Sequence, residues 1–132
     1  MSAFDRYAPL IQDYIYSKGW SELRSVQEEA ATAIFDSADH LLICSSTASG
    51  KTEAAFFPII SELLNDPPGS FGVLYVAPLK SLINDQFERL SELLAAGSIP
   101  LTHWHGDVSS SHKAKALKDP KGILQITPES LE

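Results

Sequence analysis

Ser45-Ser-Thr-Ala-Ser-Gly-Lys-Thr52 sets a glycine, a lysine and a hydroxyl side by side after five small residues. The flanking segments give this stretch a setting. His40 to Ser45 (HLLICS) is a short apolar run that reads as a strand buried on both faces, with Cys44 a buried strand residue, and Lys51 to Leu64 reads as a helix. Backbone N–H groups in the first turn of a helix have no partner within the helix, and the helix dipole makes that end favourable for an anion. A loop at such a strand-to-helix junction suits phosphate. Gly50 lets the backbone come close, Lys51 would place its ammonium between the β- and γ-phosphates of a nucleotide, and the Thr52 hydroxyl would ligate magnesium. The full phosphate-loop pattern asks for glycine where Ser45 stands, so the plain alternative is a Ser/Thr-rich turn ahead of an ordinary helix. The junction favours phosphate.

The elements that must position this loop alternate as short strand-like and longer helix-like segments, which predicts an α/β fold with a parallel sheet. Phe4 to Lys18 has Tyr7, Ile11, Tyr14 and Ile15 near helical spacing, and Gly19 ends it. Ser25-Val-Gln-Glu28 has the form of a capping box, with Ser25 capping and Glu28 reaching back, and opens a helix through about Phe35. Pro58 should loosen one turn of the helix that follows the loop. Asn65-Asp-Pro-Pro-Gly69 is a turn. Val73 to Ala77, Leu101 to Trp104 and Ile123 to Thr127 are further strands. Leu79, Leu82, Ile83, Phe87, Leu90 and Leu94 mark one face of a helix closed by Gly97, and Ser109 to Lys118 reads as a polar helix.

Two later segments resemble places where a chain meets phosphate. In Ala77-Pro-Leu-Lys80, Pro78 stops a strand and Lys80 begins a helix with free N–H groups; the bland reading is a strand-to-helix turn with one solvated lysine. In Thr127-Pro128-Glu129-Ser130, threonine caps a helix and proline occupies its first turn, which is also a generic helix start. Lys113, Lys115, Lys118 and Lys121 form the basic cluster, read as a solvated helix face in preference to a nucleic-acid groove.

Composition sets limits. At 132 residues and 44% hydrophobic content the chain fits one globular domain with a core. Its single cysteine excludes an internal disulfide framework and points to a reducing, cytoplasmic compartment. Met1 to Gln12 lacks the apolar stretch of a signal peptide, and no run is long enough to span a membrane. A net charge of -7 argues against a general polyanion-binding domain, so any nucleic-acid contact must be local.

Thr47-Ala-Ser-Gly-Lys-Thr52 followed by Glu53-Ala-Ala-Phe-Phe-Pro58 resembles motif I of superfamily 2 helicases, especially the large helicase-related (Lhr-like) branch of the DEAD/DEAH-box group, with Ala48 where that family more usually has glycine. Leu23-Arg-Ser-Val-Gln27 is similar to the region where the family places a glutamine that reads adenine. Ala77 to Gln86 resembles motif Ia and Ile126 to Ser130 resembles motif Ib, both of which touch the phosphate backbone of the tracked strand. His103-Trp-His105-Gly-Asp107 resembles the segment after the third strand, where Gly106 turns the chain near that strand. The glutamine, the phosphate loop, motif Ia and motif Ib occur in the family's order, and the resemblance covers nearly the whole chain.

The resemblance implies a RecA-like, three-layer α/β/α phosphate-loop domain, of which 1–132 is the amino-terminal portion, including a helical segment at about 1–36. It implies ATP and magnesium as cofactors and single-stranded DNA or RNA as partner of the intact motor. Gln27, Thr47, Ala48, Ser49, Gly50, Lys51, Thr52 and Glu53 would hold nucleotide, with Lys51 and Thr52 catalytic and Thr52 on magnesium. Pro78, Lys80, Gly106, Thr127 and Ser130 would meet nucleic acid. Trp20, Tyr7 and Phe4 are candidates to stack on the base, though each also suits the core.

The family's DEAD- or DEAH-like tetrapeptide, which holds magnesium and activates water, does not occur in the 132 residues, and neither does the second RecA-like domain. In the family the strand carrying that tetrapeptide, and the one after it, lie between the phosphate-loop strand and the rest. The expectation is therefore an incomplete sheet with unpaired apolar edges open to self-association, weak nucleotide binding and no unwinding. A non-catalytic nucleotide- or partner-binding module derived from a helicase is the alternative. A phosphate-loop kinase or GTPase is disfavoured because neither a lid lysine/arginine pair nor a guanine-reading Asn-Lys-x-Asp is present.

Overall fold

The computed structural model describes residues 2–44, 50–76, 91–104 and 108–131. They form two compact units, Met1–Asp66 and Pro67–Glu132, whose boundary falls in the Asn65 to Gly69 turn expected from the sequence.

The first unit is helical. Helix α1 (Ala3–Arg6) and α2 (Pro9–Ser17) replace the single helix expected from Phe4 to Lys18. The break is at Pro9: Ala8 before it is extended (ψ 150), as the proline ring requires, and Pro9 then starts α2. The N–H of Ala8 donates to Ser61 Oγ at 2.9 Å, and Ser61 donates in turn to the Phe57 carbonyl at 2.8 Å, so a fully buried hydroxyl is satisfied on both sides.

Helix α3 (Ser25–Asp36) packs on α4 (Lys51–Asn65), where Ala30, Ala31 and Ala54 are buried. Pro58 lies inside α4 without ending it. It leaves the Ala54 carbonyl without its usual helical donor, and its fully buried ring fills core space instead. Phe57 is the hub of this core, with the rings of Tyr7 and Tyr14 edge-on at 5.6 and 5.9 Å. Arg6 forms a two-pronged pair with Asp36 at 2.6 and 3.0 Å, joining α1 to the end of α3 at the surface.

Helix α3 is capped by Arg24, not Ser25, and it is Gln27 whose Oε1 reaches back to accept from the Arg24 N–H at 3.0 Å. Glu28 turns elsewhere and accepts the Ala3 N–H at 3.0 Å. The strand expected at His40 to Ser45 is absent over 40–44, where Leu42 is 86% exposed and Cys44 is exposed, not buried. A strand exists only by pairing, and among the described residues none pairs with this run. Ser45 lies outside the described residues.

The second unit holds a parallel sheet. Strands β1 (Phe71–Val76), β2 (Leu101–Trp104) and β3 (Gly122–Ile126) are ordered β1-β3-β2, with β3 central. The helix before β2 is described over 91–96 (α5), where Leu93 and Leu94 are buried; the rest of the helix expected from Leu79 lies outside the described residues. Helix α6 (Ser110–Lys118) links β2 to β3, capped by Ser109, whose Oγ accepts the His112 N–H at 3.3 Å. Helix α7 (Pro128–Leu131) follows β3. Gly122 opens β3 at φ 73, where a Cβ would lie 2.1 Å from the Pro100 carbonyl oxygen, so only glycine permits the Ile123 N–H to reach that oxygen at 2.9 Å.

The fold is thus the expected RecA-like α/β arrangement with an incomplete, three-stranded parallel sheet. Among the described residues, no helix is long and apolar enough to cross a membrane.

Candidate nucleotide and nucleic-acid sites

The first site lies at the amino terminus of α4. Gly50 is the N-cap in the left-handed region (φ 81), and its carbonyl accepts the Ala54 N–H at 2.9 Å. Gln27, only 5% exposed, also reaches it, with Nε2 3.5 Å from the Gly50 oxygen. A Cβ at residue 50 would sit 2.6 Å from that nitrogen. Glycine here serves both the backbone conformation and the approach of Gln27.

Gly50 brings no side chain to cap the helix, so the first-turn amides keep the outward-facing dipole end that suits an anion. Lys51 and Thr52 occupy that turn and are half-buried. Glu53 is 6% exposed in the same turn, where the helix dipole favours its carboxylate. An uncapped helix end with a lysine and a hydroxyl beside it fits a polyphosphate with its magnesium. Thr47, Ala48 and Ser49 lie outside the described residues.

Among the described residues, the contacts to Arg24 and Gly50 use one lone pair of Gln27 Oε1 and one N–H of Nε2, and a primary amide has a second of each with which to read a base edge. Of the candidate stacking rings, Tyr7 is core at 3% exposure, and burial, with the Glu28 charge behind it, pushes its phenol well above the usual range. Phe4 is half-buried and meets Tyr16 edge-on at 5.4 Å. Trp20, at 39% exposure, meets Tyr14 edge-on at 6.2 Å and Phe57 tilted at 6.4 Å.

The second site is at the carboxyl edge of the sheet. Val76, Ile126 and Trp104 stand in register, so three parallel strands end along one line, the edge at which open α/β sheets place their ligands. Thr127 leaves β3 there. Its N–H donates to the Trp104 carbonyl at 3.4 Å, and its Oγ1 donates to Ser130 Oγ at 3.1 Å. The Thr127 carbonyl accepts the N–H groups of Ser130 and Leu131, both at 3.1 Å, which starts α7. The two hydroxyls expected to act together are therefore neighbours. Pro78, Lys80 and Gly106 lie outside the described residues. Sequence reasoning missed the part Arg24 plays in holding Gln27; a cap signal one residue upstream of Ser25 was not legible, because arginine is not a capping type.

A family model described as DEAD/DEAH box helicase matches residues 24–132. An "ATP-dependent helicase Lhr-Core" of Methanocaldococcus jannaschii is 38% identical over 109 residues, covering 70% of this chain and 13% of that protein. "DExH-box ATP-dependent RNA helicase DExH13" of Arabidopsis thaliana is 32% identical over 120 residues, covering 85% of this chain and 5% of that protein. The solved structure titled "Crystal Structure of DUF1998 helicase MrfA bound to DNA and AMPPNP" superposes with a TM-score of 0.81 at 23% identity, over 96% of this chain and 17% of that one, and bears on fold. The chain spans a small fraction of each of these proteins. With the family model covering most of its length, this chain belongs to the DEAD/DEAH box helicase family.

Proposed function

We propose that this chain is the ATP-binding, amino-terminal portion of a RecA-like domain, residues 1–132 with a helical segment at about 1–36, in a motor that couples ATP hydrolysis to movement along DNA or RNA. The observation that carries this reading is the seating of Gln27 on the Gly50 carbonyl at the uncapped start of α4. A base-reading amide and a phosphate-binding helix end then belong to one rigid corner. The Lhr-Core and DExH13 proteins named ATP-dependent helicases, and MrfA crystallised with DNA and AMPPNP, support it.

In this reading Lys51 would neutralise phosphate charge, the Thr52 hydroxyl would hold magnesium, and residues 47–53 would hold the chain of phosphates. Magnesium, when bound with ATP, supplies charge neutralisation across the phosphates. Pro78, Lys80, Gly106, Thr127 and Ser130 position a single strand of nucleic acid through its backbone. The setting is a reducing cytoplasmic one. No DEAD- or DEAH-like tetrapeptide occurs in the 132 residues, so they bind nucleotide weakly and neither turn it over nor unwind duplexes.

Nucleotide titration tests this. ATP should bind more tightly than GTP and need magnesium, Lys51→Ala should weaken binding by about tenfold or more, and Gln27→Ala should erase the preference for ATP. Equal affinity for ATP and GTP, untouched by Gln27→Ala, would sink the adenine reading. Magnesium-dependent turnover abolished by Lys51→Ala would sink the claim of no hydrolysis. A second reading is a non-catalytic nucleotide- or partner-binding module derived from a helicase. Nucleotide binding without hydrolysis in a polypeptide of the relatives' length would select it.

A further inference from the structure

The two tryptophans of the chain stand in different surroundings. Trp20 meets the rings of Tyr14 and Phe57 at the margin of the first unit's aromatic core. Trp104 is half-buried at the last position of β2, and among the described residues no other ring meets it. What lies over it is a cation: Lys113 of α6 sets its Nζ 5.4 Å from the ring centroid. Among the described residues that ammonium pairs with no carboxylate. Helix α6 has no buried residue, so leaving the ring takes the lysine into water and not through packed side chains.

The ring belongs to the carboxyl edge of the sheet. Trp104 is in register with Ile126, the residue before Thr127, and parallel register puts those two side chains on one face. The Trp104 carbonyl accepts the Thr127 N–H at 3.4 Å, and Thr127 in turn donates to Ser130. The indole and the hydroxyl pair are therefore carried on one hydrogen-bonded strand end. Hydroxyls suit a phosphate oxygen, and an indole suits a base. A single strand of nucleic acid presents both at neighbouring positions.

We propose that Trp104 is a stacking platform for a base of the strand that passes the Thr127–Ser130 edge, with Lys113 leaving the ring to take a phosphate of that strand. This rests on the nucleic-acid reading of the edge. Magnitudes favour the exchange. A lysine over an exposed ring is held by a factor of about two to five, whereas a base stacked on an aromatic ring is held by about five- to 150-fold. The base displaces the ammonium, and the displaced charge gains a phosphate in place of the ring. The rival is a lysine–indole contact that only fastens α6 to β2.

The experiment is anisotropy titration of the chain across a salt series with two labelled single strands of equal length and charge, dT20 and its abasic counterpart. Trp104→Leu should bind dT20 at least about fivefold more weakly. It should bind the abasic strand as the unaltered chain does, with the slope of log affinity against log salt unchanged, because stacking releases no counterions. Lys113→Gln should lower that slope by about 0.7 on both strands, the value of one phosphate. A second readout requires no loss of affinity: dT20 should quench tryptophan emission in the unaltered chain, and Trp104→Phe, which leaves Trp20 as the single tryptophan, should remove the quench. Equal loss on both strands by a Trp104→Leu chain whose circular dichroism is unchanged would make the ring a fastening for α6 and overturn the platform. So would dT20 binding without a quench. Unaltered dT20 affinity in Trp104→Leu, alongside loss on both strands in Thr127→Val, would overturn the platform and leave the edge standing. An unchanged slope in Lys113→Gln would overturn the lysine's transfer to phosphate. No binding of either strand by the unaltered chain at low salt would overturn the edge and the platform together.

Discussion

Gln125 sits in the central strand at 2% exposure, and among the described residues neither its Oε1 nor its Nε2 has a hydrogen-bond partner. Leaving a buried amide unpaired costs about 1–3 kcal/mol, and an apolar residue of similar volume removes that cost. Gln125→Met should therefore raise stability by about 1 kcal/mol or more, read as a higher urea midpoint with an unchanged m-value; a lower midpoint would show that the amide is paired. Tyr7 makes a similar case with a pH signature. Its folded pKa is raised above the ordinary 10.0 by burial and then by Glu28, so the stabilising difference is complete below pH 10 and is lost as pH rises beyond it, where the unfolded chain gives up a proton the folded chain retains. Tyr7→Phe should leave stability at pH 7 equal or higher and flatten the alkaline fall monitored above pH 10 by about 1.4 kcal/mol per pH unit at most. Burial raises Tyr75 in the same direction, so some alkaline loss remains in that variant. Side-chain type singled out Lys51, Thr52 and Gln27 as candidates, but it did not show the burial of Gln125. A central parallel strand is covered on both faces, so no alternation marks which of its residues are inside.

Helix ends show where local pattern succeeds and where it slips by one residue. Ser109 was legible as a boundary of α6 because serine accepts from the third amide beyond it, as it does here. At the end of α5, Gly97 was the expected stop, yet the left-handed residue is Ser98 (φ 54). The Ile99 N–H bonds to the Leu94 carbonyl at 2.9 Å and the Ser98 N–H to that of Ala95 at 3.1 Å, the paired closure that favours glycine at position 98. Ser98→Gly should stabilise the second unit by about 1 kcal/mol, measured as a shift in its thermal midpoint, and no gain would mean that serine there is unstrained. The strand expected at 40–44 failed for a different reason. Hydrophobicity made it a candidate, but a strand also needs a neighbour, and pairing is a property that a segment's own composition does not carry. Strands β1, β2 and β3 were legible because their partners lie within the same 132 residues.

At the scale of the whole molecule, the same lack of partners leaves apolar side chains in water. Leu42 is 86% exposed and Leu41 44%, while on edge strand β1 Leu74 is 52% and Val76 42% exposed. An apolar strand edge is a template for pairing with another chain, and what opposes it here is the chain's self-repulsion at a net charge of -7. That repulsion fades as pH approaches the sequence pI of about 5.0. We therefore expect self-association, followed by sedimentation velocity, to grow with protein concentration and to strengthen as pH falls from 7 toward that value. Leu42→Asp and Leu74→Asp, each adding charge of the prevailing sign at an exposed apolar position, should hold the chain monomeric over the same range. Association that grows with falling pH but ignores both substitutions would move its cause from these edges to another surface. A monomer at every pH would mean that the exposed leucines are too scattered to act as an edge. The strongest form of the result would be suppression by Leu74→Asp alone, because β1 already has one partner in β3 and needs only a strand on its other side to extend the sheet.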